Sequence, residues 1–177
     1  MKIQKKLLNH PFYQLWTNGE ITEVQLAKYS QSYFELIEEI PNLWSQAISG
    51  LNAGSFESQK LINEEIAHIE LWNKFKNKQI SIAHPSLSDI VSELFEMNPS
   101  QLLGAIHSFE VQQPEVAKTK KELLLKFYGF SESDTKYFDE HMNESEHIQF
   151  GKTLADEHAD KTDFEYGFLK GSEIFYN

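Results

Sequence analysis

Between Thr22 and Ser49 the apolar residues Leu26, Tyr29, Tyr33, Leu36, Ile37, Ile40 and Leu43 recur at i, i+3, i+4 spacing. That rhythm lines one face of an α-helix and is incompatible with the two-residue alternation of a half-buried strand. Thr22 followed by Gln25 has the form of a capping box, so the helix has a defined start. The same pattern recurs along the chain, with glycine and proline confined to the junctions and bends. Helices are expected from Ser58 to about Asn77, from Ser86 or Ser88 to about Met97, from Asn98-Pro99 to Tyr128, from Ser131 or Ser133 to about His158, and from Asp163 to Phe175. Pro41 and Pro114 fall inside two of the long ones and should kink them, because each removes a backbone donor and crowds the preceding turn. The expected fold is an all-α bundle of about seven helices, in one domain spanning residues 1–177, without a linker or repeat.

Charge and composition narrow the function. With 16 Lys and Arg against 27 Asp and Glu, and no basic cluster longer than two residues, the chain lacks the surface needed to displace counterions from nucleic acid. No stretch approaches the roughly 18 apolar residues of a spanning helix, and the N-terminal Met1 to Phe12 lacks the apolar run of a signal peptide. A cytoplasmic protein without a membrane or nucleic-acid partner is expected. Cysteine is absent, so any metal must be held by His, Asp and Glu.

Such residues cluster on three of the expected helices. Glu64 and Glu65 precede His68 by four and three residues, and either can share a helical face with the imidazole. Glu110 lies between Phe109 and Val111 just before Pro114, alone on its helix, which makes it the candidate bridging carboxylate. His141, Glu144 and His147 follow at i+3 intervals and fan across about 120° of one helix. Carboxylate and imidazole without thiolate suit Fe(II), Mn(II) or Zn(II), and their distribution over facing helices matches carboxylate-bridged dimetal sites in bundles. His10, His84, His107 and His158 lack an acid at ligand spacing and are read as surface or core residues.

The segments Leu8 to Trp16 (LNHPFYQLW), Leu26 to Tyr33 (LAKYSQSY), Ile40-Pro41, His68 to Trp72 (HIELW), Glu110 to Lys120 (EVQQPEVAKTK) and Tyr137 to His141 (YFDEH) resemble the heme-oxygenase-like dimetal oxidases. The similarity is greatest to the group containing the chlamydial death-domain-associating protein, beside the pyrroloquinoline quinone synthase and TenA relatives. The resemblance implies a heme-oxygenase-like bundle that carries two iron ions, or iron and manganese, rather than heme, and that activates dioxygen with electrons from an external reductant. A homodimer is usual among these proteins. Carried over, the ligands are Glu64, His68, Glu110, His141 and His147. The acid-to-His interval of the first cluster is shorter here than in the family, so alignment favours Glu64 while helix geometry serves Glu65 equally well. In the last cluster the acid becomes Glu144.

The resemblance further implies formation of p-aminobenzoate for folate at the expense of the protein's own Tyr13, with Lys120 as the nitrogen source. Three other functions fit the residues. The same centre could oxidise a diffusible amino acid or fatty acid. A ferritin-like iron protein would use Glu35 or Glu38 with the later Glu-x-x-His pairs. A metal-free interaction module would leave the clusters without chemistry.

Overall fold

Thr22 closes the expected capping box in the computed structural model, which describes residues 2–143 and 145–177: its hydroxyl accepts from Gln25 N at 3.2 Å, and the Gln25 side chain accepts from Thr22 N. The helix it opens, α2 (Glu23–Gly50), runs unbroken through the buried Pro41. The proline therefore does not divide the segment, although it removes one intrahelical hydrogen bond. Before it lie a 3-10 turn at Leu7–Asn9 and α1 (Pro11–Asn18), neither of which is marked by a long apolar period. After it come α3 (Phe56–Lys76), α4 (Ser88–Phe95), α5 (Pro99–Glu110), α6 (Gln113–Phe127), α7 (Lys136–Met142), α8 (Ser145–His158) and α9 (Lys161–Ile174), and no strand occurs among the described residues.

The chain is an all-α bundle, as its periodicity requires, but it has nine α-helices among the described residues where about seven are expected. Two expected long helices are each split. Pro114 cannot donate to the Glu110 carbonyl, and the chain turns at residues 111–112 before α6 begins. Asn143 ends α7 and donates from its side chain to the Asp139 carbonyl at 3.0 Å, a local bond that competes with helix continuation. The expected caps also shift by a few residues. Ser55, three residues before the expected start at Ser58, is the N-cap of α3, with Ser58 as its capping-box partner. Glu35 accepts from both Ser86 Oγ and Leu87 N, at 2.8 and 2.7 Å, and so anchors the start of α4.

The core forms around Trp16, Trp44, Trp72, Phe75 and Phe138, all fully buried. α5 packs along α9, α2 against α3 and α5, and α6 against α7. The α5–α9 contact is closest at Gly104 and Gly167, where an added Cβ would run into the backbone of Phe164 and of Gln101 respectively. Trp72 Nε1 donates to the Ser30 carbonyl at 2.8 Å in the interior and pins α3 to α2. That contact fixes which face of α3 turns inward. No helix among the described residues is long and apolar enough to cross a membrane.

Candidate metal centre

On the inward face of α3, three residues apart, stand Glu65 and His68, with Glu65 Oε2 3.3 Å from His68 Nδ1. Glu65 Oε1 faces the other way and lies 3.1 Å from His147 Nδ1 on α8. The break between α7 and α8 lets His141 and His147 reach this carboxylate from separate helices. Ligand atoms of Glu65, His68 and His141 all lie within 4.8 Å of one another, and so do those of Glu65, Glu110 and His147. All five residues are buried.

Glu65 is thus common to both groups, whereas the sequence places the bridge at Glu110. Glu110 is brought in from the end of α5 as a member of one group. Burial separates the two acids that the spacing leaves equivalent: the Glu65 side chain is 5% exposed and that of Glu64 41%. Glu64 stands at the rim, 3.1 Å from His147 Nε2 and 3.5 Å from Lys60 Nζ. Glu144 lies outside the described residues. Glu35, tied to the start of α4, and the exposed Glu38 do not join either group, which removes the acid that a ferritin-like order needs.

The electrostatics favour a cation. Burial works to raise the Glu65 pKa, but hydrogen bonds to His147 and His68 and the nearby imidazoles outweigh it and hold the carboxyl at about 2. Burial and the neighbouring His68 push His141 down to about 3, so its imidazole is neutral at ordinary pH. Its Nδ1 lies 2.8 Å from the Tyr137 carbonyl, which can only accept, so the proton sits on Nδ1 and the lone pair on Nε2. Glu65 Oε1 is buried, with His147 Nδ1 as its near neighbour at 3.1 Å. Buried carboxylates and imidazoles converging from four helices, with no thiolate among them, fit a pair of divalent first-row metal ions.

Tyr13 and Lys120, 107 residues apart in sequence by their numbering, also meet. Lys120 is buried on α6, donates to Tyr29 Oη at 2.5 Å, and has its Nζ 5.0 Å from the ring centroids of Tyr13, Tyr29 and Tyr33. Burial lowers its pKa to about 7 and raises that of Tyr13 to about 12. Tyr33 joins this group to the metal-site residues. Burial and the charge of Tyr13 raise its pKa well above the ordinary value, hydrogen bonds from Tyr137 and Gln113 oppose the rise, and Glu110 adds to it. Tyr29, Tyr33 and Gln113 escape a reading by periodicity, which counts the two tyrosines as core. Their signal is that a buried phenol needs a polar partner, and these two stand four residues apart on one face. A cavity of about 440 Å³ opens beside them. His107 proves to be a core residue whose Nδ1 is buried without a hydrogen bond.

No protein-family model matches the chain. Proteins named 4-aminobenzoate synthase do: that of Chlamydia muridarum is 31% identical over 156 residues, covering 77% of this chain and 66% of that protein. The Chlamydia trachomatis serovar D protein is 30% identical over 77% of this chain and 68% of its own length. That of Nitrosomonas europaea is 29% identical over 76% and 65%. The chain spans about two thirds of the length of these curated relatives.

Proposed function

Because the chain belongs to the family of these 4-aminobenzoate synthases, we propose that it makes 4-aminobenzoate by an oxygen-dependent oxidation of its own Tyr13, with Lys120 as the nitrogen donor. The observation that carries this reading is the burial of the Lys120 amine against the Tyr13 ring, in an interior continuous through Tyr33 with the Glu and His cluster. Glu65, His68, Glu110, His141 and His147 would hold two metal ions, iron alone or iron with manganese, in a heme-oxygenase-like bundle. Bound there, the ions supply the binding and reduction of dioxygen, with an external reductant as the electron source.

The protein's own groups prepare the reaction. Glu65 stays ionised and offers one oxygen toward each group of imidazoles. The Tyr137 carbonyl holds the His141 ring and its tautomer. A lysine with a pKa of about 7 is half neutral at physiological pH, so its lone pair is available as a nucleophile where a solvated amine's is not. Tyr29 keeps that amine beside Tyr13, and burial keeps Tyr13 a neutral phenol.

A second reading is favoured by the cavity beside Tyr13, which could admit a diffusible amino acid or fatty acid to the same centre. Mass spectrometry of metal-loaded protein exposed to air and reductant, without added substrate, separates the two. Release of 4-aminobenzoate, with matching loss of mass from Tyr13, supports self-consumption. Its absence, with oxidation of an added substrate, supports the second reading.

A further inference from the structure

Two consecutive residues of α3 reach the two nitrogens of one imidazole. Successive side chains are about 100° apart around a helix, so Glu65 turns into the bundle while Glu64 stays at its rim. The buried ring of His147, brought in by α8, stands between them. Its Nδ1 lies 3.1 Å from Glu65 Oε1, and its Nε2 lies 3.1 Å from Glu64 Oε2. The other Glu64 oxygen lies 3.5 Å from Lys60 Nζ, which also reaches Glu146 Oε2 at 3.1 Å. Lys60 thus helps to hold the Glu64 carboxylate in place against the ring.

A neutral imidazole has one proton and one lone pair, and the partner of one nitrogen decides which nitrogen is left to bind metal. A metal ion shared with Glu65 needs the lone pair at Nδ1, the nitrogen on the Glu65 side. The ring proton is then on Nε2, where an ionised Glu64, which can only accept, receives it. Glu64 belongs to neither group of converging ligand atoms, whereas His147 shares one with Glu65 and Glu110.

We propose that Glu64 is a positioning residue of the metal centre: it accepts from His147 Nε2, fixes the ring and its tautomer, and so presents Nδ1 to the ion held with Glu65 and Glu110. This rests on the metal centre of the proposed function and places Glu64 beside the ligands rather than among them. The two roles make different demands. A ligand must give the ion a negative oxygen, whereas an acceptor for Nε2–H needs only an oxygen in the right place, which an amide also has.

The test uses the full chain loaded anaerobically with Zn(II), a diamagnetic probe, with affinities measured by competition against a chelator. Glu64→Ala should still take up two ions at saturation, one of them about 10- to 100-fold more weakly and the other as in the parent. Glu64→Gln should stay within about threefold of the parent at both positions, because its amide oxygen still accepts from Nε2. Long-range proton–nitrogen NMR of the Zn(II)-loaded parent and of Glu64→Gln should show His147 bound through Nδ1 and protonated on Nε2. Melting of the chelator-treated variants near that of the parent shows that they fold. Loss of an ion from Glu64→Gln at saturation would make Glu64 a ligand and overturn the proposal. Parent-like affinities in Glu64→Ala, or zinc on Nε2 of His147 in the parent, would reduce the contact to a surface ion pair and overturn it equally. A parent chain that binds no metal overturns the metal centre itself and the proposal with it, whereas the other adverse results overturn the proposal alone.

Discussion

Glu65 Oε1 lies 3.1 Å from His147 Nδ1, and the other oxygen of the same carboxylate lies 3.3 Å from His68 Nδ1. One side chain of α3 therefore stands between imidazoles from two helices, in the position a bridging ligand would occupy.

Glu65→Ala should lower the metal content to less than one ion per chain, because both groups lose a member. Glu64→Ala, at the exposed rim, should retain most of it. Elemental analysis after anaerobic loading with Fe(II) and Mn(II) gives the comparison. Equal losses in the two variants would remove the distinction drawn from burial.

Tyr13→Phe should abolish 4-aminobenzoate while leaving metal content unchanged, since Tyr13 belongs to neither metal-site group. The measurement is product mass spectrometry beside elemental analysis of the same sample. Full product formation by the variant would end the self-consumption reading.

Burial of Lys120 lowers its pKa from 10.5 to about 7, so between those values the unfolded chain binds more protons than the folded one. Stability contributed at this position therefore rises with pH from about 7 to 10.5, and the full penalty applies below about 7. Lys120→Met should be more stable than the parent chain at pH 6, by up to about 5 kcal/mol at 1.36 kcal/mol per pKa unit. Its advantage should shrink as the pH approaches 10. Thermal melts across that range test the sign, and an advantage that grows with pH would contradict it.

Metal loading should raise the melting temperature and a chelator should reverse the rise, because a folded-state ligand stabilises by mass action. About 2–4 °C per kcal/mol is expected for a chain of this size. Differential scanning calorimetry with and without Fe(II) is sufficient, and Glu65→Ala should show no rise.

Gly167→Ala should destabilise the bundle by about 1–3 kcal/mol or more, since its Cβ would meet the Gln101 backbone and force α9 from α5. Urea denaturation measures this directly. An unchanged midpoint would mean that the two helices separate without penalty.

Local pattern alone determined much of this protein. The i, i+3, i+4 rhythm and the capping residues Thr22 and Asn98 specify helices, because both act within a turn or two of chain. The Glu-x-x-His interval likewise places Glu65 and His68 on one face of α3, whatever that face meets. Only tertiary structure decided the rest. Glu64 and Glu65 are equivalent until Trp72 binds the Ser30 carbonyl and turns one face of α3 inward. His141 and His147 look like one helical fan until Asn143 ends α7, which lets two helices converge on a single carboxylate. Tyr29, Tyr33 and Gln113 read as ordinary helix residues until α2 and α6 enclose Lys120. Helical periodicity is set by neighbours along the chain, whereas a site shared by several helices depends on packing between distant segments, to which local spacing carries no register.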